Sequence, residues 1–166
     1  MFPIIIRKKS PGKGFHHFLG KKEIYTFLEL LPRRDEVCYG LEQIVLAEGE
    51  KGCDGWYDGA VIAINAWEKD LWRVVPPDYY EVHRSIFNRL QVECIKTGPN
   101  YLCKFTQFSV KAFQLLHVFL HELGHHYDKM TTGSKREASR GEHFAEEYAV
   151  KNEEVIWEGY MKLHGL

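Results

Sequence analysis

No stretch of this sequence approaches the roughly 18 consecutive apolar residues of a membrane-spanning helix, so no membrane partner is expected. No CxxC pair occurs either. Cys38, Cys53, Cys94 and Cys103 are scattered, which excludes a zinc ribbon and a CxxC redox motif. Cys94 and Cys103 flank a turn and can face each other across a hairpin, where a reduced pair is the simpler expectation. No charge of one sign dominates. Lys and Arg number 22 against 23 Asp and Glu, leaving a formal net charge of -1. A nucleic-acid partner needs a basic face and is not expected. The short cluster Arg7-Lys8-Lys9 reads as a solvated terminus. The first charges follow the apolar residues Phe2 to Ile6, the reverse of a secretory signal, so a cytoplasmic location is expected. Internal repeats and low-complexity segments are absent.

What remains is apolar enough to fold alone. The 166 residues are 45% hydrophobic and 14% aromatic, which suits one domain spanning 1–166 without a disulfide staple. Ile24, Phe27, Leu28 and Leu31 recur at helical spacing, and Pro32 ends that helix. Leu41 to Ala47 and Gly59 to Trp67 read as two neighbouring strands. Gly and Asp make the segment between them a loop by composition. Pro76-Pro77-Asp78 opens a helix over Tyr79 to Leu90. Val92 to Phe105 reads as strand, Thr-Gly-Pro-Asn turn, strand. A long helix follows from about Ser109, a plausible N-cap, to Lys129. After a loop over Thr131 to Arg140, a last helix starts near Glu142. The fold class expected is α+β.

The chemistry concentrates in His121-Glu122-Leu123-Gly124-His125, an HExxH motif. Residues four apart share a helix face, so both imidazoles can reach one metal ion. Glu122 stands beside that ion and can take a proton from a water there. With nine His and 17 Glu in 166 residues, the motif arises by chance about 0.05 times in a shuffled chain.

Catalytic zinc takes three protein ligands and leaves one position open. The pattern HExxHxxGxxH would supply a third histidine, but Asp128 stands at its glycine and Thr131 at its last position. Downstream, Ala138 to Ala149 reads ASRGEHFAEEYA. Glu142 and Glu146 are four apart and share a helix face. A loop of about ten residues after His125 can bring Glu142 back to the metal. Glu137 and Glu147 are rival ligands.

HELGH followed by E-x-x-A-E resembles the gluzincin metallopeptidases, the thermolysin-like and lethal-factor-like group. The likeness covers about 35 residues, Leu115 to Ala149, and the chain length is similar to that of minimal gluzincins. It implies a zincin-like fold, with a small mixed or antiparallel sheet packed on the HExxH helix. It implies Glu142 as third zinc ligand and Glu146 as the carboxylate behind a ligand histidine. One departure is Gly141, where those enzymes often carry Asn before the ligand glutamate.

Asp128, on the same helix face as His125, is a second acceptor for a ligand imidazole. His117 continues the stripe and reads as a core histidine. His126 and His143 adjoin the motifs but point elsewhere. The reaction expected is hydrolysis of a peptide or protein substrate, with Glu122 as general base. Tyr148 and Tyr160 are candidates for oxyanion stabilisation. Residues 59–67, GAVIAINAW, are the candidate edge strand for substrate, with an interior position equally compatible. A deformylase-like amidase would need a cysteine ligand motif that Cys94 and Cys103 do not form. The alternative outside catalysis is a zinc-bound regulatory or interaction protein, resembling HExxH proteins of phage and stress regulation, with one specific substrate or none.

Overall fold

The structure, a computed structural model, describes residues 3–132 and 140–166. It is an α+β fold. A four-stranded mixed sheet contains β1 (Ile5–Lys8), β3 (Gln43–Ala47), β5 (Val61–Asn65) and β4 (Gly55–Asp58), in that spatial order. The first three run parallel, and β4 is antiparallel to β5. Ile44, Leu46, Ile62 and Ile64 are buried against the helices, while Val45 and Ala63 close the other face. This burial on both faces is why β3 and β5 read as continuous apolar runs.

Two short strands, β2 (Phe15–His16) and β6 (Trp67–Glu68), pair antiparallel. A three-stranded antiparallel sheet has the order β7 (Arg73–Val75), β9 (Asn100–Lys104), β8 (Glu93–Thr97). The helices are α1 (Lys21–Leu28), the short α2 (Arg34–Val37), α3 (Pro77–Arg89), α4 (Gln107–Phe113), α5 (Leu120–Thr131) and α6 (Gly141–Leu163). A π-helical stretch, Gln114–Phe119, joins α4 to α5 without a break. Its six residues are all buried. Such turns recur beside functional sites because they re-aim the following side chains.

Two expectations need correction. Residues 61–65 of GAVIAINAW form an interior strand, held between β3 and β4. The edge strand beside the HExxH helix is β4, inside the segment read as loop. Its Trp56 and Tyr57 carry β propensity, but the flanking glycines masked it. Ser109 is not the N-cap of α4. Thr106 is, with its hydroxyl accepting Ser109 N–H at 3.1 Å and Ser109 Oγ accepting Thr106 N–H at 2.8 Å. No helix among the described residues is long and apolar enough to cross a membrane.

Candidate metal centre

Helix α5 carries the HExxH motif, and α6 lies across it. Their approach is set by Gly124. A Cβ there would fall 2.9 Å from Ala145 Cα and 3.1 Å from Tyr148 Cβ. Only a residue without a side chain lets the backbones come this near. The first turns of α6 are thereby carried over the histidines.

Glu142 meets both of them. Its Oε2 lies 3.0 Å from His121 Nε2, and its Oε1 lies 2.7 Å from His125 Nε2. One turn later, Glu146 Oε2 accepts from His121 Nδ1 at 2.9 Å. His121 therefore faces a carboxylate on each ring nitrogen. Burial disfavours a charged His121 ring, but the Glu146 hydrogen bond and the charges of Glu122 and Glu142 outweigh it and raise its pKa.

Glu122 is buried at 8% exposure, and its Oε2 has no hydrogen-bond partner among the described residues. Burial pushes its pKa up to about 7, helped by Glu142 and opposed by His121. An unpartnered buried carboxylate is costly and calls for a ligand or a catalytic task. His121, Glu122 and His125 offer ligand atoms within 4.8 Å of one another, as do His117, His121 and Glu146. This His/Glu cluster could hold a metal ion.

The remaining sequence candidates fall as follows. His117 is buried, with Nε2 3.4 Å from Glu146 Oε1. Burial lowers its pKa to about 4. Asp128 makes no hydrogen bond to His121 or His125. It is fully buried, and its Oδ2 accepts Arg140 N–H at 2.8 Å and Gly141 N–H at 3.3 Å. It thus fixes the start of α6, from which Glu142 projects. His126 turns to the opposite side, with Nε2 2.7 Å from Tyr39 O and Nδ1 2.7 Å from Tyr57 Oη. His143 is exposed and pairs with Glu147 at 2.9 Å. That contact keeps Glu147 on the outer face of α6. Glu137 lies outside the described residues.

Tyr148 and Tyr160 are not at the cluster. Tyr148 lies where α6 meets α5, packed against Tyr127 and turned away from the histidines, and Tyr160 is buried against Phe27. Spacing on α6 explains this. Tyr148 is two residues past Glu146, about 200° around the helix.

Sequence reading missed the cleft walls. A cleft of about 720 Å³ runs between β4 and α5, lined by Trp56, Tyr57, Glu122, His125, Lys129 and Glu142 among others. A second of about 360 Å³ adjoins it, with His83, His117 and Asp54 in its wall. Both include Glu122 and Glu142, so they meet over the cluster. Gly55 makes the passage possible. A Cβ there would lie 2.7 Å from Ala63 O and 2.8 Å from Val118 Cγ1. Just before it, Asp54 is gripped by Arg73 Nη1 at 2.7 Å and by Tyr79 Oη at 2.5 Å. Arg73 also lies over the Trp67 ring at 3.5 Å and holds Glu68. That knot pins the start of β4. The glycine-bracketed GWYD was the available signal for the wall.

No family model matches the chain, and no curated protein or solved structure does.

Proposed function

We propose that this protein is a zinc-dependent endopeptidase with a zincin-like fold of the gluzincin kind. The observation that carries the reading is the Glu142 carboxylate seated against Nε2 of both His121 and His125, with Glu122 Oε2 buried beside them and without a hydrogen-bond partner among the described residues. The donor set fits zinc: two imidazoles and one carboxylate are the ligands of a catalytic His₂Glu site. His121, His125 and Glu142 would hold the ion. Bound there, zinc supplies a Lewis acid that acidifies water and polarises a carbonyl.

The chain's own residues do the rest. Glu146 takes the Nδ1 proton of His121 in a hydrogen bond, which leaves Nε2 as the electron-pair donor. Glu122 accepts a proton from the attacking water and passes it to the leaving nitrogen. Among the described residues, strand β4 has one edge free of sheet partners, so an extended peptide can pair with it beside Glu122.

The test is cleavage of a diverse mixture of unstructured peptides by the zinc-loaded protein, read by mass spectrometry. New termini made by the native protein and not by Glu122→Gln support the reading. Full zinc occupancy with no cleavage would turn it toward a zinc-bound interaction protein.

A further inference from the structure

The β8–β9 hairpin carries a feature that the metal centre does not use. Cys94 on β8 and Cys103 on β9 are register partners. The strands are joined by a two-residue turn closed by Thr97 and Asn100. Counting back from that closing pair, Cys94 and Cys103 occupy a non-hydrogen-bonded position. There the two backbones come closest and the side chains lie side by side. Their Sγ atoms are 3.0 Å apart, with both thiols free. A disulfide needs about 2.05 Å between sulfurs and Cα atoms within about 7 Å, which an antiparallel pair of this kind meets without moving its backbone.

We propose that Cys94 and Cys103 are a reversible redox pair that closes into a cross-strand disulfide and staples this hairpin. Access is one-sided. Cys103 is fully buried, whereas Cys94 is partly exposed on β8, an edge strand of its sheet. The co-reactant is a small soluble disulfide. Cys94 loses its proton and its Sγ attacks one sulfur of that disulfide, forming a mixed disulfide and expelling one thiolate. Cys103 then loses its proton and attacks Cys94 Sγ, forming the Sγ–Sγ bond and expelling the second thiolate. Two protein thiols are oxidised, and one small disulfide is reduced to two thiols. Burial raises both cysteine pKa values, so the exchange is slow at neutral pH and faster in mild alkali.

The staple reaches further than the hairpin. Cys103 is also the register partner of Arg73 on β7, and Arg73 grips Asp54 at the start of β4. Closing the pair therefore stiffens the sheet that anchors a wall of the cleft. Neither Cys38 nor Cys53 has a sulfur partner among the described residues, which makes them internal controls.

The experiment incubates the full chain with oxidised and reduced glutathione in varied ratio, traps free thiols by alkylation, and maps the digest by mass spectrometry. The expected product is one cross-linked peptide pair joining Cys94 to Cys103, lighter by two hydrogen atoms, with Cys38 and Cys53 alkylated. The melting temperature should rise with that product, fall back on reduction, and stay put in Cys94→Ser. Alkylation of both cysteines at the most oxidising ratio would overturn the proposal. So would glutathione retained on Cys94 with Cys103 still free, or a link to any other cysteine.

Discussion

Gly124 on α5 and Ala145 on α6 are close enough that a single methyl group on the glycine would lie 2.9 Å from the alanine Cα. This contact decides where Glu142 and Glu146 stand, because both ride on the same helix as Ala145. Gly124→Ala is expected to part the two helices. The stability cost should be about 1–3 kcal/mol, as for other overpacked cores. Zinc affinity should fall by at least about tenfold, since the carboxylates withdraw from the imidazoles. Competition with a chromophoric chelator measures the affinity, and chemical denaturation measures the stability. An unchanged affinity would mean that the helix crossing does not set the site.

The two glutamates have separable tasks. Glu142→Gln removes the negative charge that faces Nε2 of both His121 and His125. Glu146→Gln removes the negative charge that faces His121 Nδ1 and His117 Nε2. Zinc affinity should drop in both, by about 10- to 100-fold for Glu146→Gln and further for Glu142→Gln. The reverse order in the same competition assay would exchange their roles.

Asp128 acts on the site through the backbone it holds. Asp128→Ala leaves the Arg140 and Gly141 N–H groups without their acceptor and should destabilise the protein by about 1–2 kcal/mol. Ligand atoms remain in place, so zinc in excess should restore near-native turnover. Failure of excess zinc to restore it would show that Asp128 does more than fix the start of α6.

Acid should weaken the metal-free protein through His117. Its folded pKa of about 4 lies below the ordinary 6.5, because burial penalises the charged ring. The unfolded chain then binds the proton more readily than the folded one. The stability contributed is complete above pH 6.5 and is lost as pH falls toward about 4. His117→Gln should flatten that stretch of the stability profile, measured as denaturation midpoints from neutral pH downward. Parallel profiles for the two proteins would remove His117 as a cause.

Much of this was legible in advance, and the reason is periodicity. The HExxH stripe repeats every four residues on a helix, and so do Glu142 and Glu146, so their shared faces could be read from spacing. Strands β3 and β5 announced themselves as apolar runs. Strand β4 did not, because its role depends on pairing with β5 and on Gly55 passing beside Val118, which are relations across the fold. The role of Asp128 is hidden for a similar reason. Spacing alone sets it near His125 on α5, but its partners are backbone groups of Arg140 and Gly141, 12 and 13 residues away. Tyr148 has the chemistry of an oxyanion donor, but its angle on α6 sends it away from the cluster.

The larger cleft also holds a cation. Lys129 lies one turn beyond His125 and donates only to Gly59 O, at 3.3 Å, among the described residues. An acidic side chain of a bound peptide can pair with it. Lys129→Ala should lower kcat/KM by about tenfold, or about 1.4 kcal/mol, for peptides with an acid beside the cleaved bond. Neutral peptides should be cut as before. Identical cleavage profiles for the two proteins would show that Lys129 does not read the substrate.

The central claim is that Glu122 is a base and not a ligand, although His121, Glu122 and His125 could by themselves surround an ion. The most direct measurement is zinc stoichiometry and affinity of Glu122→Gln beside its turnover of a cleaved peptide. One tightly held zinc per chain with turnover lost is the expected result. A protein that loses its zinc along with its turnover would make Glu122 a ligand, and the account of the site would fail.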